Sequence, residues 1–332
     1  MQQPDPDVLA RLALECDIQP LLHGRLESAG RLDLIPENFR ESLAAARHKC
    51  RMDNILLLAE AEKAIDALAG AGVMPVVLKG MDIIHRYGMD FDLRRMDDMD
   101  LLVPTGQVKD SMAALAAAGW KLPHRIYDSN WAPYHTGLES SGPIMVYLEI
   151  HWNIIQEGRY RLDPADLFAR AGKLEVGGRP VLGLHIHDLA VHTLLHHVSS
   201  HFHRKLKNWI DLHLLSMEDG FRWESVVDRA REWGGLPGAA MSMRHAGRLF
   251  PNWFPEEVVK LFGPERLRSL ALKPLASTHP LDMYRKTSSR LVEMLLSAAM
   301  VSKPWRLPAA MRMFRGEPDY LRGVLDVDQH DS

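Results

Sequence analysis

Two carboxylates stand one residue apart in the stretch Arg94-Arg95-Met96-Asp97-Asp98-Met99-Asp100-Leu101-Leu102-Val103. The apolar run that closes this stretch reads as a strand, and side chains at i and i+2 of a strand point to the same face. The Cα atoms of Asp98 and Asp100 are then about 6–7 Å apart, so both carboxylates can converge on one divalent cation or on a pair. Hard oxygen ligands of this kind suit Mg²⁺ or Mn²⁺. Two such ions about 4 Å apart can activate an attacking oxygen and stabilise a departing pyrophosphate. The plainer account is an acidic turn that solvates the strand end. Parity turns Asp97 to the other face.

Three other groups of residues could join this pair. Glu149 and His151 form a second i, i+2 pair in Ile144–Trp152. If that strand neighbours the first, Glu149 becomes the third carboxylate, able to bind a metal or take a proton from an acceptor hydroxyl. Otherwise it belongs to the polar face of a half-exposed strand. Lys79-Gly80 sits where a strand turns into a helix. There glycine permits close backbone approach, the helix N-terminus offers N–H groups to a phosphate, and Lys79 adds a point charge. Strand–Gly–helix junctions also occur with no ligand. Arg94 and Arg95 can bind phosphates or pair with carboxylates. No Walker-type loop and no dinucleotide fingerprint is present.

Histidines crowd the stretch from 185 to 213: His185, His187, His192, His196, His197, His201, His203 and His213. His192/His196 and His197/His201 are four apart, on one helix face in each case. The glutamate of a zinc-protease motif is missing. A metal-hydrolase reading therefore ranks below packing, and below a cleft for an anionic substrate lined by His197, His201 and Lys207, with Asp211 as structural partner or orienter.

The elements that must position these residues follow from periodicity. Residues 5 to about 72 read as helical, with Asp7 as a first cap, Pro36 opening a long helix and Gly70 and Gly72 ending it. Residues 73–78 and 98–103 read as strands, 105–118 as a helix capped by Thr105 and stopped by Gly119, and 174–184 as a hairpin turning at Gly177-Gly178. From His185 helical patterns dominate, at about 185–202, 205–217, 222–233, 255–262 and 287–302. The expected fold is α+β, a small mixed sheet flanked by N-terminal helices and a C-terminal helical region. Its expected divisions are 1–72 (helical), 73–184 (α/β core) and 185–332 (helical).

The 332 residues can bury a sizeable core, and 46% hydrophobic with 25% charged is an ordinary globular balance. A net charge of −3 supplies no global field toward nucleic acid. Cys16 and Cys50 lack ligand or framework spacing and suggest a reducing compartment. No signal peptide and no apolar run of about 18 residues is seen, so a cytoplasmic location without membrane insertion is expected.

The succession strand, Lys-Gly, helix, Asp-x-Asp strand, helix, Glu-bearing strand is the layout of a nucleotidyltransferase core. Val77-Leu78-Lys79-Gly80, Tyr87 and the 94–103 stretch resemble the uncharacterised bacterial nucleotidyltransferase-like family of the polymerase-beta superfamily. Leu148-Glu149-Ile150-His151-Trp152 is similar to its acidic-x-His-Trp strand, and His197, His201 and Trp209-Ile210-Asp211-Leu212 to its His-rich helices. The resemblance spans about residues 50 to 215. It implies a minimal nucleotidyltransferase sheet with Asp98, Asp100 and Glu149 as catalytic metal ligands. It also implies transfer of a nucleoside monophosphate from a triphosphate such as ATP, dependent on Mg²⁺ (or Mn²⁺), with pyrophosphate released. Lys79, Gly80 and Arg94 are expected to steady the phosphates, with His151, His197, His201, Lys207 and Asp211 in the substrate cleft. The acceptor, a small molecule, peptide, protein or RNA, is left open. Lys79-Gly80 replaces the superfamily's usual Gly-Ser, and Asp97 its frequent small residue. The first departure keeps a second reading in view, a catalytically silent nucleotide-binding or partner-binding module on the same fold.

Overall fold

The computed structural model describes residues 5–122, 134–142, 144–155, 160–199 and 206–263. The chain opens with helices α1 (Pro6–Glu15), α2 (Gln19–Ser28) and the long α3 (Glu37–Gly70). Asp5, not Asp7, caps α1: its carboxylate accepts from the Asp7 N–H, which places Asp7 inside the first turn. Pro36 precedes α3, and Gly72 (φ +73) follows its end. The buried positions Leu43, Cys50, Asn54, Leu57, Ala61, Ala64, Ile65 and Leu68 recur at helical spacing, so α3 lays one stripe on the core.

The α/β part runs β1 (Val76–Val77), α4 (Lys79–Arg86), β2 (Met99–Leu102), α5 (Val108–Ala117), β3 (His135–Glu139), β4 (Tyr147–His151), α6 (Pro164–Arg170), β5 (Gly172–Val176) and β6 (Arg179–Gly183). The six strands form one mixed sheet in the order β3-β4-β2-β1-β6-β5. Strand β2 lies parallel to β4 and antiparallel to β1, while β1 is parallel to β6. The β5–β6 hairpin turns at Gly177 (φ +56) and Gly178 (φ +77), a pair of left-handed residues that a two-residue turn demands. Thr105 does not cap α5. A 3-10 turn at Thr105–Gln107 intervenes, and the Thr105 hydroxyl donates to the Trp152 carbonyl instead. Gly119 (φ +92) ends that helix as its sequence suggests.

Helices α7 (Ile186–Ser199), α8 (Lys207–Ser216), α9 (Trp223–Glu232), α10 (Leu236–Leu249) and α11 (Glu256–Leu261) complete the described chain. The helix expected at 287–302 lies outside the described residues. No helix among the described residues is long and apolar enough to cross a membrane.

Strand alternation separates two cores. Val77, Met99, Leu101, Leu148 and Ile150 pack with Leu57, Ile65 and Leu68 of α3. Val76, Leu78 and Leu102 pack with Leu189, Leu194, Trp209 and Leu212 of α7 and α8. Each such side chain contributes roughly 1.5–3 kcal/mol by leaving water. The consequence for chemistry is one of parity. With Met99, Leu101, Leu148 and Ile150 committed to the α3 side, Asp100, Glu149 and His151 must face α7 and α8.

Candidate active site

The site starts from a register. In the parallel pair β2–β4, Asp100 stands directly beside Glu149, and Leu102 beside His151. Carboxylates from two different strands thus meet on one face. His151 Nε2 lies 2.9 Å from Asp100 Oδ1 and 3.2 Å from Glu149 Oε2. On the neighbouring β3, His135 is the register partner of His151; the two rings stack with centroids 4.8 Å apart, and His135 Nε2 lies 3.8 Å from Glu149 Oε1.

Lys79 enters from the end of β1. Its Nζ donates to Asp100 Oδ1 at 2.5 Å and stands 3.6 Å from Glu149 Oε2. Lys79 has φ +51, a conformation that costs a side chain with a Cβ about 1–2 kcal/mol. The turn accepts this strain and aims the ammonium at the acids. Gly80 follows because nothing larger fits: a Cβ there would collide with Arg94 Nη1 and come within 2.9 Å of Met96 Cγ.

The charges regulate one another. Burial alone would raise Asp100, but Lys79 and His151 outweigh it and hold its carboxyl below the usual range. Burial likewise opposes ionisation of Glu149, yet the His151 hydrogen bond, Lys79 and His135 keep it far below that range. Burial would lower Lys79; Asp100, Glu149 and Asp98 reverse the sign and raise it. His151 is raised in spite of burial by its bonds to Asp100 and Glu149. His135, by contrast, is pushed down to about 4 by burial and by the neighbouring His151. Asp98 is pushed up to about 6, first by burial and then by the charge of Asp100.

Among the described residues, the one group of three metal-ligating side chains is Asp100, Glu149 and His151, with one ligand atom of each within 4.8 Å of the others. Two hard oxygens and an imidazole nitrogen at that spacing fit a divalent cation. Asp98 stands outside this trio. It precedes β2 and lines the adjoining cleft of about 190 Å³ together with Lys79, Gly80, Arg94, Lys207 and Asp211. The far wall of the cleft is helical, carrying His192, Thr193 and His196 of α7 and Asn208 of α8.

Of the residues singled out by sequence, the structure brings together Lys79, Asp100, Glu149 and His151 at the acids, and Lys79, Gly80, Arg94, Asp98, Lys207 and Asp211 around the cleft. His197 does not line the cleft; its ring packs on Trp209 with centroids 4.4 Å apart. His201 lies outside the described residues. The Arg94 fork is engaged by Asp211, with Nε–Oδ1 at 2.8 Å and Nη2–Oδ2 at 2.6 Å, so a phosphate role would have to share it. Lys207 Nζ reaches Asp17 Oδ2 (2.8 Å), the Arg95 carbonyl (3.1 Å) and Asp97 Oδ2 (3.2 Å). Asp97 precedes β2, where strand parity does not hold, and instead of turning away it lines the same cleft as Asp98.

Two positioning residues escape a reading of the sequence. One is His135. The other is Asn54, fully buried in the middle of α3, whose Nδ2 donates to the carbonyls of Phe91 (2.7 Å) and Arg94 (2.8 Å) and whose Oδ1 accepts from the Met96 N–H (3.0 Å). It satisfies the buried backbone of the loop that delivers Arg94 and Asp98.

Residues 2–251 match the model of a family described as an uncharacterised nucleotidyltransferase. No curated protein and no solved structure matches the chain.

Proposed function

The chain belongs to this uncharacterised nucleotidyltransferase family, and from that premise we propose that it transfers a nucleoside monophosphate from a nucleoside triphosphate to an acceptor, releasing pyrophosphate. The single observation that carries the reading is the Asp100–Glu149 register pair on the face that opens toward the Lys79 cleft. Asp100 and Glu149, with Asp98 at the cleft side, would hold a divalent cation, Mg²⁺ or Mn²⁺. Such a cation supplies positive charge to polarise the reacting phosphate and offset the charge leaving with pyrophosphate.

The chain's own groups divide the remaining work. Lys79, at the junction of acids and cleft, brings an ammonium to the triphosphate, and the exposed Arg95 at the rim adds a second cation. An acceptor hydroxyl forms a new O–P bond at the α-phosphorus, the α–β bridging O–P bond breaks, and pyrophosphate departs with that electron pair. The hydroxyl proton passes to a carboxylate. Asp98 faces the cleft from which the nucleotide would enter. His192, held neutral at about 3 by burial and by Lys79, lines the same cleft without adding charge.

The test is incubation of the full chain with labelled triphosphates, Mg²⁺ or Mn²⁺, and acceptor pools, beside Asp100→Asn. Expected is label transfer by the unaltered chain and a loss of about 10³-fold or more in the variant. Equal labelling by both proteins would remove this active site. A second reading draws on the ion pair between Lys79 and Asp100 and on the Lys-Gly turn: a silent module that binds nucleotide without turnover. Calorimetry separates the two, since binding heat with no label transfer in any pool supports the module.

A further inference from the structure

The third member of the acid group is an imidazole, and this bears on which cation the site takes. His151 is two residues beyond Glu149 on β4 and is 3% exposed. Its Nε2 is 2.9 Å from Asp100 Oδ1 and 3.2 Å from Glu149 Oε2. Adjacent ligands around a cation with bonds of about 2.1 Å stand about 3.0 Å apart. The imidazole nitrogen therefore already stands at ligand-to-ligand spacing from an oxygen of each acid, and one ligand atom of each of the three residues lies within 4.8 Å of the others. His135 supports them from β3, stacked on the His151 ring and 3.8 Å from the other oxygen of Glu149. Mg²⁺ prefers oxygen shells and keeps its waters, whereas an imidazole ligand shifts preference toward first-row transition ions.

We propose that Asp100, Glu149 and His151 together ligate a divalent transition ion of the Mn²⁺ class in preference to Mg²⁺, with His135 as a positioning residue for His151 and Glu149. The inference rests on reading this site as a cation-dependent transferase centre. Binding has a definite balance of charge and protons. His151 Nε2 gives up its proton to solvent and donates its lone pair. Lys79 Nζ leaves Asp100 Oδ1, because ammonium and cation claim the same oxygen, and it remains beside the cleft that its side chain already lines.

The full chain, stripped of metal by chelator, is titrated with Mn²⁺ while free Mn²⁺ is followed by electron paramagnetic resonance, alone and against Mg²⁺. Expected is Mn²⁺ binding at least about tenfold tighter than Mg²⁺. Pulsed resonance on the Mn²⁺-loaded chain should show coupling to a directly bound nitrogen. His151→Gln removes that coupling and brings the two affinities to within about threefold of each other. His135→Gln keeps the coupling and weakens Mn²⁺ by about tenfold. The nitrogen coupling is read on the unaltered chain, so a variant that folds poorly does not decide the matter. Equal affinities for the two ions, no Mn²⁺ binding, or bound Mn²⁺ without nitrogen coupling would overturn the inference and leave His151 a protonated counter-ion. Label transfer in Mg²⁺ together with any of those results would still support the transferase reading, so the two can fail separately.

Discussion

Lys79 Nζ lies 2.5 Å from Asp100 Oδ1, on a backbone held at φ +51. An ammonium so placed neutralises a buried carboxylate pair that would otherwise repel itself. It also competes with any cation for the same oxygens. Lys79→Met should therefore raise Mn²⁺ affinity by about tenfold, equivalent to about 1.4 kcal/mol, while lowering turnover with nucleotide. Calorimetric titration beside steady-state kinetics checks both directions. Weaker cation binding in the variant would mean that Lys79 supports the site and does not compete for it.

Asn54 is the second place to probe. Its three hydrogen bonds satisfy the Phe91 and Arg94 carbonyls and the Met96 N–H. Asn54→Leu leaves the Arg94 carbonyl and the Met96 N–H buried without a side-chain partner and the Phe91 carbonyl with only the weak Cys50 thiol, at a cost on the order of 3 kcal/mol. Thermal unfolding should register that loss, and any label transfer should fall as well, since Asp98 and Arg94 leave the same loop. A variant with unchanged melting temperature would show that the loop holds itself.

Arg94 and Asp211 form a buried, two-pronged pair between the loop before β2 and α8. Asp211→Asn strands the guanidinium and should cost about 3–5 kcal/mol. Replacing both, as Arg94→Met with Asp211→Leu, should recover much of that stability, because two apolar groups carry no desolvation debt. Denaturant unfolding of the single and double variants distinguishes pairing from mere packing. Loss in the double variant equal to that in the single one would argue for packing.

Acid sensitivity follows from buried histidines away from the acids. His245 is pushed down to about 4 by burial and by Arg248. Its unfolded value is about 6.5. Between those values the unfolded chain binds a proton that the folded chain refuses, so stability falls as pH falls, by about 1.4 kcal/mol per pH unit for such a group. His245→Leu should flatten the curve of unfolding free energy against pH by that slope between about pH 5 and 6. Parallel curves for variant and unaltered chain would show that His245 titrates normally.

Much of the site is legible locally because period-two alternation and turn chemistry are local. The Asp98–Val103 stretch and Glu149 announce their strands, and parity sets Asp100 and Glu149 each opposite the apolar side of its own strand, but that they share one face depends on the β2–β4 pairing. Gly177-Gly178 announces its hairpin. What escapes is long-range. His135 sits in a strand whose burial hardly alternates and whose importance lies in pairing with His151. Asn54 looks like any polar residue in a long helix until the 91–96 loop folds over it. The choice of Asp211 by Arg94 spans 117 positions, beyond any spacing rule. Helix α10 buries most of its middle, Gly238 through Met243 with His245 and Ala246, so its apolar stripe blurs. The Thr105 cap fails because a 3-10 turn inserts itself before α5.

The parallel pairing of β2 with β4 has an implication for how this chain can vary. Asp100 and Glu149 meet through one specific alignment, and the greasy reverse side of both strands guards it. Lengthening the exposed turn at Ser141-Gly142, between β3 and β4, would leave the acids facing each other. A single residue added inside either strand would swing its acid into oil and pull an aliphatic neighbour out to replace it. Drift in the loops is thus tolerated, whereas drift in the ladder abolishes the centre in one step.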